Sequence, residues 1–167
     1  MLAAVIALGL GVTTASAATQ QIAGKFTVHF PKAGQQNNVY PCPPGVFCGV
    51  GSLRGFGAAE IDVFDSKFQP VPNSSCFSFD KEDDITLIGT SSTLVLVGSG
   101  TLCFPGGSGN APGSPNDYGR PSFWTSKLTV DGSASTGVFS GVGGTATETF
   151  TVAGGVGVWG LTGSLST

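Results

Sequence analysis

Thr145-Ala146-Thr147-Glu148-Thr149-Phe150-Thr151-Val152 is the stretch on which the reading of this 167-residue chain turns. Thr145, Thr147, Thr149 and Thr151 share one parity; Ala146, Phe150 and Val152 share the other. Side chains alternate across a strand with a period of two, so this is the pattern of a β-strand with one buried face. Glu148 falls on the apolar parity. An ionised carboxylate among apolar side chains must be paired, hydrogen-bonded or protonated. Glu148 is therefore the candidate catalytic residue, a general acid or an anchor for a ligand's polar group. A register slip of one residue would instead bring it to water and bury the threonines.

The same alternation extends outward. Strands are expected at Ile22–Phe30, Leu53–Phe64, Cys76–Phe79, Ile85–Ile88, Thr93–Phe104, Phe123–Val130, Val138–Val142, Thr145–Val152 and Val156–Leu165. Between them lie a Pro/Gly/Asn-rich loop over 31–51, a charged turn over Asp80-Lys81-Glu82-Asp83-Asp84, and a long loop over 105–121. Loops of that length inside a compact domain are usually functional or disordered. Glycine, threonine, serine and valine run throughout, which suits strands and turns and works against helices. Short antiparallel strands at close spacing point to an all-β domain over 18–167, either a single closed barrel of about eight strands or a sandwich. Glycines inside strand patterns (Gly98, Gly100, Gly141, Gly143, Gly144) suit the tight bends of a small barrel, and favour closure.

Residues 1–17 read as a signal peptide: an uncharged apolar stretch to Val12, then Ala15-Ser16-Ala17 at the positions a signal peptidase reads. The expected product is secreted. Charged residues make up 10% of the chain, against a usual value of about 25%. The net charge is −3. With no basic cluster, nucleic-acid binding is disfavoured, because phosphates need a positive footprint. No later segment is long and apolar enough to span a membrane. The sequence does not disclose the oligomeric state.

Four cysteines follow the leader, Cys42, Cys48, Cys76 and Cys103. An even count in an exported domain argues disulfides. Three connectivities are open to them. Cys42 and Cys48 flank a short Pro-Pro-Gly bend. If Phe77, Phe79, Leu102 and Phe104 point inward, Cys76 and Cys103 both point outward, which favours Cys42–Cys48 with Cys76–Cys103. A C-x5-C spacing without histidine partners is a poor zinc site, and no metal or cofactor is expected.

Thr136-Gly137-Val138-Phe139-Ser140-Gly141-Val142-Gly143-Gly144 resembles the G-T-G-x-F-x-G-A-x-G signature of allene oxide cyclase-like and dirigent-like β-barrels. Ser135 stands where that signature has its first glycine, and Val142 where it has alanine. The resemblance covers about ten residues clearly, as a count of matched positions along the signature. It implies an eight-stranded antiparallel barrel, with a glutamate set among apolar residues of the lumen. Such barrels host cyclases, stereochemical guides and plain binders, so the fold does not choose the function.

Three functional readings follow. The leading one is a binding or structural module with a small apolar ligand in the lumen, lined by Trp124, Phe150 and Trp159. The second is a cyclase or isomerase using Glu148. The third is an interaction protein acting through its long loops. The twelve phenylalanines could equally pack the lumen solid. Other candidates read as ordinary surface: Glu60 and Asp62 as an outer-face pair, His29 as outward-facing without a nucleophile motif, and Asn73-Ser74-Ser75 as a glycosylation sequon.

Overall fold

The computed structural model describes residues 18–29, 42, 47–104, 122–153 and 155–167. The leader at 1–17, most of the first loop and the whole of 105–121 lie outside the described residues. Among those described, eight strands form in chain order: β1 (Thr19–His29), β2 (Phe47–Leu53), β3 (Gly57–Pro70), β4 (Cys76–Leu87), β5 (Thr93–Cys103), β6 (Ser122–Val130), β7 (Gly143–Ala153) and β8 (Val156–Ser166). Each pairs antiparallel with the next, and β8 pairs back onto β1 from Thr19↔Ser166 to His29↔Val156, closing the barrel. Closure leaves no free edge. The expectation of an eight-stranded closed barrel rather than a sandwich holds.

The period-two pattern decides which residues fill it. In β7 the threonines are exposed while Ala146, Glu148, Phe150 and Val152 are buried. Ile22, Phe26 and Val28 from β1, Ile61 and Val63 from β3, Leu94, Leu96 and Leu102 from β5, and Trp159, Leu161 and Leu165 from β8 join them in one core. One barrel end carries Leu53, Leu87, Leu165 and a one-turn 3-10 helix, Gly137–Phe139. Phe139 is fully buried there, its ring 4.9 Å from that of Phe56.

Three expectations are corrected. The first loop, expected over 31–51, gives up its end to β2, which pairs with both β1 and β3. Glycines hid that strand. At Gly49 a β-carbon would come within 2.6 Å of the Trp159 ring, so the strand has no side chain where a hydrophobic signal was sought. Second, the charged run 80–84 is not a turn. Cys76–Phe79 and Ile85–Ile88 are not separate strands either: all but Ile88 belong to the single continuous β4. Asp80, Glu82 and Asp84 face outward, while Lys81 and Asp83 face inward between Phe79 and Ile85. Third, Val138–Val142 forms no strand; its residues make the 3-10 turn and the bend that follows, with Phe139 plugging the barrel.

Both expected disulfides are present, Cys42–Cys48 and Cys76–Cys103. The second joins directly opposed residues of β4 and β5, both outward-facing as parity required. Among the described residues no helix is long and apolar enough to cross a membrane.

Candidate functional site: a buried charge cluster beneath an aromatic row

The closed register aligns side chains of distant sequence into rows. Leu102, Trp124, Phe150, Trp159 and Phe26 are successive partners across β5, β6, β7, β8 and β1. All five are buried. Trp124 stacks on Phe150 with ring centres 3.8 Å apart, and Phe150 lies 4.4 Å from Trp159. Phe47, entering from β2, lies 5.1 Å from Trp159 and 5.7 Å from Phe150, edge-on to both. The two Phe47 contacts have the edge-on geometry and separation that aromatic pairs favour. The three residues expected to line the lumen thus form one continuous wall, and they pack on one another at the barrel end that carries Cys76–Cys103.

One row deeper, Gly100, Ser126, Glu148, Leu161 and Gly24 are register partners. Glu148 is fully buried, as its parity demanded. Its counter-ion comes from across the lumen: Lys81 Nζ of β4 lies 3.3 Å from Glu148 Oε2. The same ammonium lies 2.9 Å from Asp83 Oδ1 and 3.4 Å from Asp65 Oδ1. The side chains of Lys81, Asp83 and Glu148 are wholly shielded from solvent, and that of Asp65 is 17% exposed. Lys81 Nζ also sits 5.2 Å from the centre of the Trp124 ring, within cation–π range.

One ammonium therefore faces three carboxylates in a largely solvent-shielded interior. Burial is the largest influence on each acid. It pushes Asp83 well above the usual carboxylate range, against the attraction of Lys81 and with the repulsion of Glu148. Burial also raises Glu148, opposed by Lys81 and reinforced by Asp65. It raises Asp65, again opposed by Lys81. Burial alone would lower Lys81, but Asp83, Glu148 and Asp65 together overcome it and hold the ammonium above the ordinary lysine value. Lys81 also hydrogen-bonds Asp83 and Glu148, and Trp124 hydrogen-bonds Glu148. Buried ions remain costly even when paired.

On sequence, Asp83 groups with Asp80, Glu82 and Asp84 as a calcium-type turn that Lys81 interrupts, with a solvated turn preferred; Asp65 is not among the candidates. The signal was there in Phe79-x-Lys81-x-Asp83-x-Ile85-x-Leu87, a period-two run with two charges on its apolar parity. Five consecutive charged residues concealed it as a turn. Asp65 immediately precedes a register shift between Ser66 and Gln69, where Lys67 takes a left-handed φ of 52°. Bulges of this kind re-aim side chains and gather beside functional sites.

The remaining candidates stay outside the lumen. Glu60 and Asp62 are half-buried on the outer face of β3, close to Cys48, whose sulfur is committed to its disulfide and offers no thiolate to a metal. Burial and the neighbouring Glu60 raise Asp62. His29 is exposed at the end of β1. Asn73 is exposed in the β3–β4 turn. An open groove of about 620 Å³ crosses the threonine-rich outer face of β6, β7 and β8, lined by Thr129, Thr145, Thr147, Thr162 and Ser164.

Fold and site together define a disulfide-bonded, eight-stranded antiparallel barrel with an aromatic wall above a buried ionic cluster, a build that fits a structural or binding module. The chain matches no known protein family, no curated protein and no solved structure.

Proposed function

We propose that the protein is an exported binding module that holds a small apolar ligand against the Trp124–Phe150–Trp159 row. The carrying observation is that row itself: three large rings in register on adjacent strands, backed by Phe47, at the end of the barrel clamped by Cys76–Cys103. Aromatic walls with few polar groups are the usual lining of small-molecule sites. Two disulfides are compatible with life outside the cell, where such bonds persist, and the leader expected at 1–17 supports the same location. Both tryptophans of the chain lie in the row, so occupancy is readable from intrinsic fluorescence. Titration with N-phenyl-1-naphthylamine is expected to give saturable probe enhancement with matching tryptophan quenching, weakened in Phe150→Ala. Native mass spectrometry of protein taken from its own secretion medium is expected to show a retained small molecule. Absence of both saturable probe binding and a retained molecule would overturn the reading.

The cyclase or isomerase reading is the alternative. It is supported by the burial of Glu148, which favours the protonated acid beside the aromatic row. It requires a free Glu148 carboxyl. The loop-based reading rests on 31–51 and 105–121, which fall largely outside the described residues.

A further inference from the structure

The Lys81–Asp83–Glu148 group has the composition of a self-reactive site. Its ammonium and two of its carboxyls are fully buried, and Nζ approaches Oε2 of Glu148 to 3.3 Å. That contact sets the amine nitrogen beside the carboxyl group it would attack. We infer that Lys81 and Glu148 condense to an intramolecular amide, with Asp83 relaying the proton, so that β4 is tied covalently to β7 across the lumen.

The step balances without a co-reactant. Asp83, at 2.9 Å, accepts a proton from the Lys81 ammonium. The freed amine attacks Glu148 Cδ, and an N–C bond forms. The tetrahedral centre collapses as its C–O bond breaks; Asp83 returns its proton and the attacking nitrogen gives up a second, so the departing oxygen leaves as water. One ammonium and one carboxylate become one amide and one water. A desolvated lysine beside a proton acceptor is an activated nucleophile, and a site shielded from solvent opposes the reverse hydrolysis. The product also removes two buried charges, those of Lys81 and Glu148.

The geometry selects Glu148 as the acyl partner. Asp83 shares β4 with Lys81 only two residues away, so a link to it would tie nothing together. Asp65 is the directly opposed residue on the neighbouring strand and keeps part of its side chain in solvent, which favours the unreactive, hydrated carboxylate. Glu148 lies on β7, which is not a hydrogen-bonded neighbour of β4, and is sealed from water. The amide goes beyond the ligand reading and does not rest on it, since Lys81 and Glu148 themselves lie outside the aromatic row. It does exclude the cyclase alternative, because it consumes the carboxyl that chemistry needs.

The test is the intact mass of the full chain as secreted, reduced and alkylated, followed by peptide mapping. The expected result is a mass lighter by one water than the sequence from the mapped N-terminus, with a branched peptide joining the Lys81 and Glu148 segments. Asp83→Asn and Lys81→Arg are expected to return the full mass. If those variants fail to fold, the wild-type mass alone decides. Wild-type protein at full mass overturns the inference. So does a water lost elsewhere, either as a hydroxylamine-sensitive succinimide at Asp131-Gly132 or as a link from Lys81 to Asp65 or Asp83. Probe binding at the aromatic row is scored separately, so each reading can fail alone.

Discussion

Removing the Cys76–Cys103 disulfide, by Cys76→Ala with Cys103→Ala, isolates what the cross-link contributes from what the sheet contributes. The two residues face each other at the open end of the β4–β5 hairpin, whose ladder runs from there to Thr86↔Thr93. The folded state already holds them together, so the bond acts chiefly by restricting the unfolded chain. A sequence separation of 27 gives a loop entropy of about 12 cal/mol/K, or about 3.6 kcal/mol at 25 °C. The separation of 6 in Cys42–Cys48 gives about 2.2 kcal/mol by the same relation. At roughly 2–4 °C per kcal/mol for a domain of this size, the first loss lowers Tm by roughly 7–14 °C. Urea unfolding of wild type and the two double variants, each with the other bridge intact, measures both. The Cys76–Cys103 variant is expected to lose more stability than the Cys42–Cys48 variant, and to unfold to a larger exposed surface than wild type, seen as a larger m-value. A loss below about 1 kcal/mol, or the opposite ranking, would refute the reasoning.

Other expectations test the packing and the charge cluster. At Gly100 a β-carbon would run into the Phe79 ring and sit 2.6 Å from Ser126 Oγ, so Gly100→Ala is expected to cost about 1–3 kcal/mol in chemical denaturation. A neutral result would show spare room beside the charge cluster. Burial raises Asp83 and Asp65, so the folded state binds their protons more tightly than the unfolded chain does. Their contribution is complete below the unfolded carboxylate value of about pH 4 and is lost as pH rises through their folded values. The urea midpoint should therefore decline from mildly acid toward neutral pH, and Asp83→Asn should flatten that slope. A slope unchanged by Asp83→Asn would count against the buried assignment. Lys81→Met leaves Asp83 and Glu148 facing apolar walls without their cation, and is expected to cost about 3–5 kcal/mol. A loss under about 1 kcal/mol would mean that water reaches the cluster.

How much could be read from the chain depends on how locally each feature is encoded. The alternation in β7 placed Glu148 inward, and the parity of Phe77, Phe79, Leu102 and Phe104 paired Cys76 with Cys103; both are consequences of the two-residue repeat. β2 was lost because Gly49 and Gly51 occupy inward positions, leaving only Phe47 and Leu53 to carry the pattern. The strand character of 80–84 was lost because charge was taken as a proxy for exposure. In β4 that proxy holds for Asp80, Glu82 and Asp84 and fails for Lys81 and Asp83.

The sequence by itself pointed to an antiparallel all-β chain, favoured the two cysteine pairings that form, and set one carboxylate of β7 on the apolar parity. Those properties follow from side-chain parity along single strands and from turn chemistry between them. Only the tertiary structure decided what that carboxylate meets. Glu148 and Lys81 lie on strands that share no hydrogen bond, and no period or spacing in the chain relates them. They converge because closure of the barrel turns opposite walls toward one narrow lumen, where a lone buried charge must find its partner.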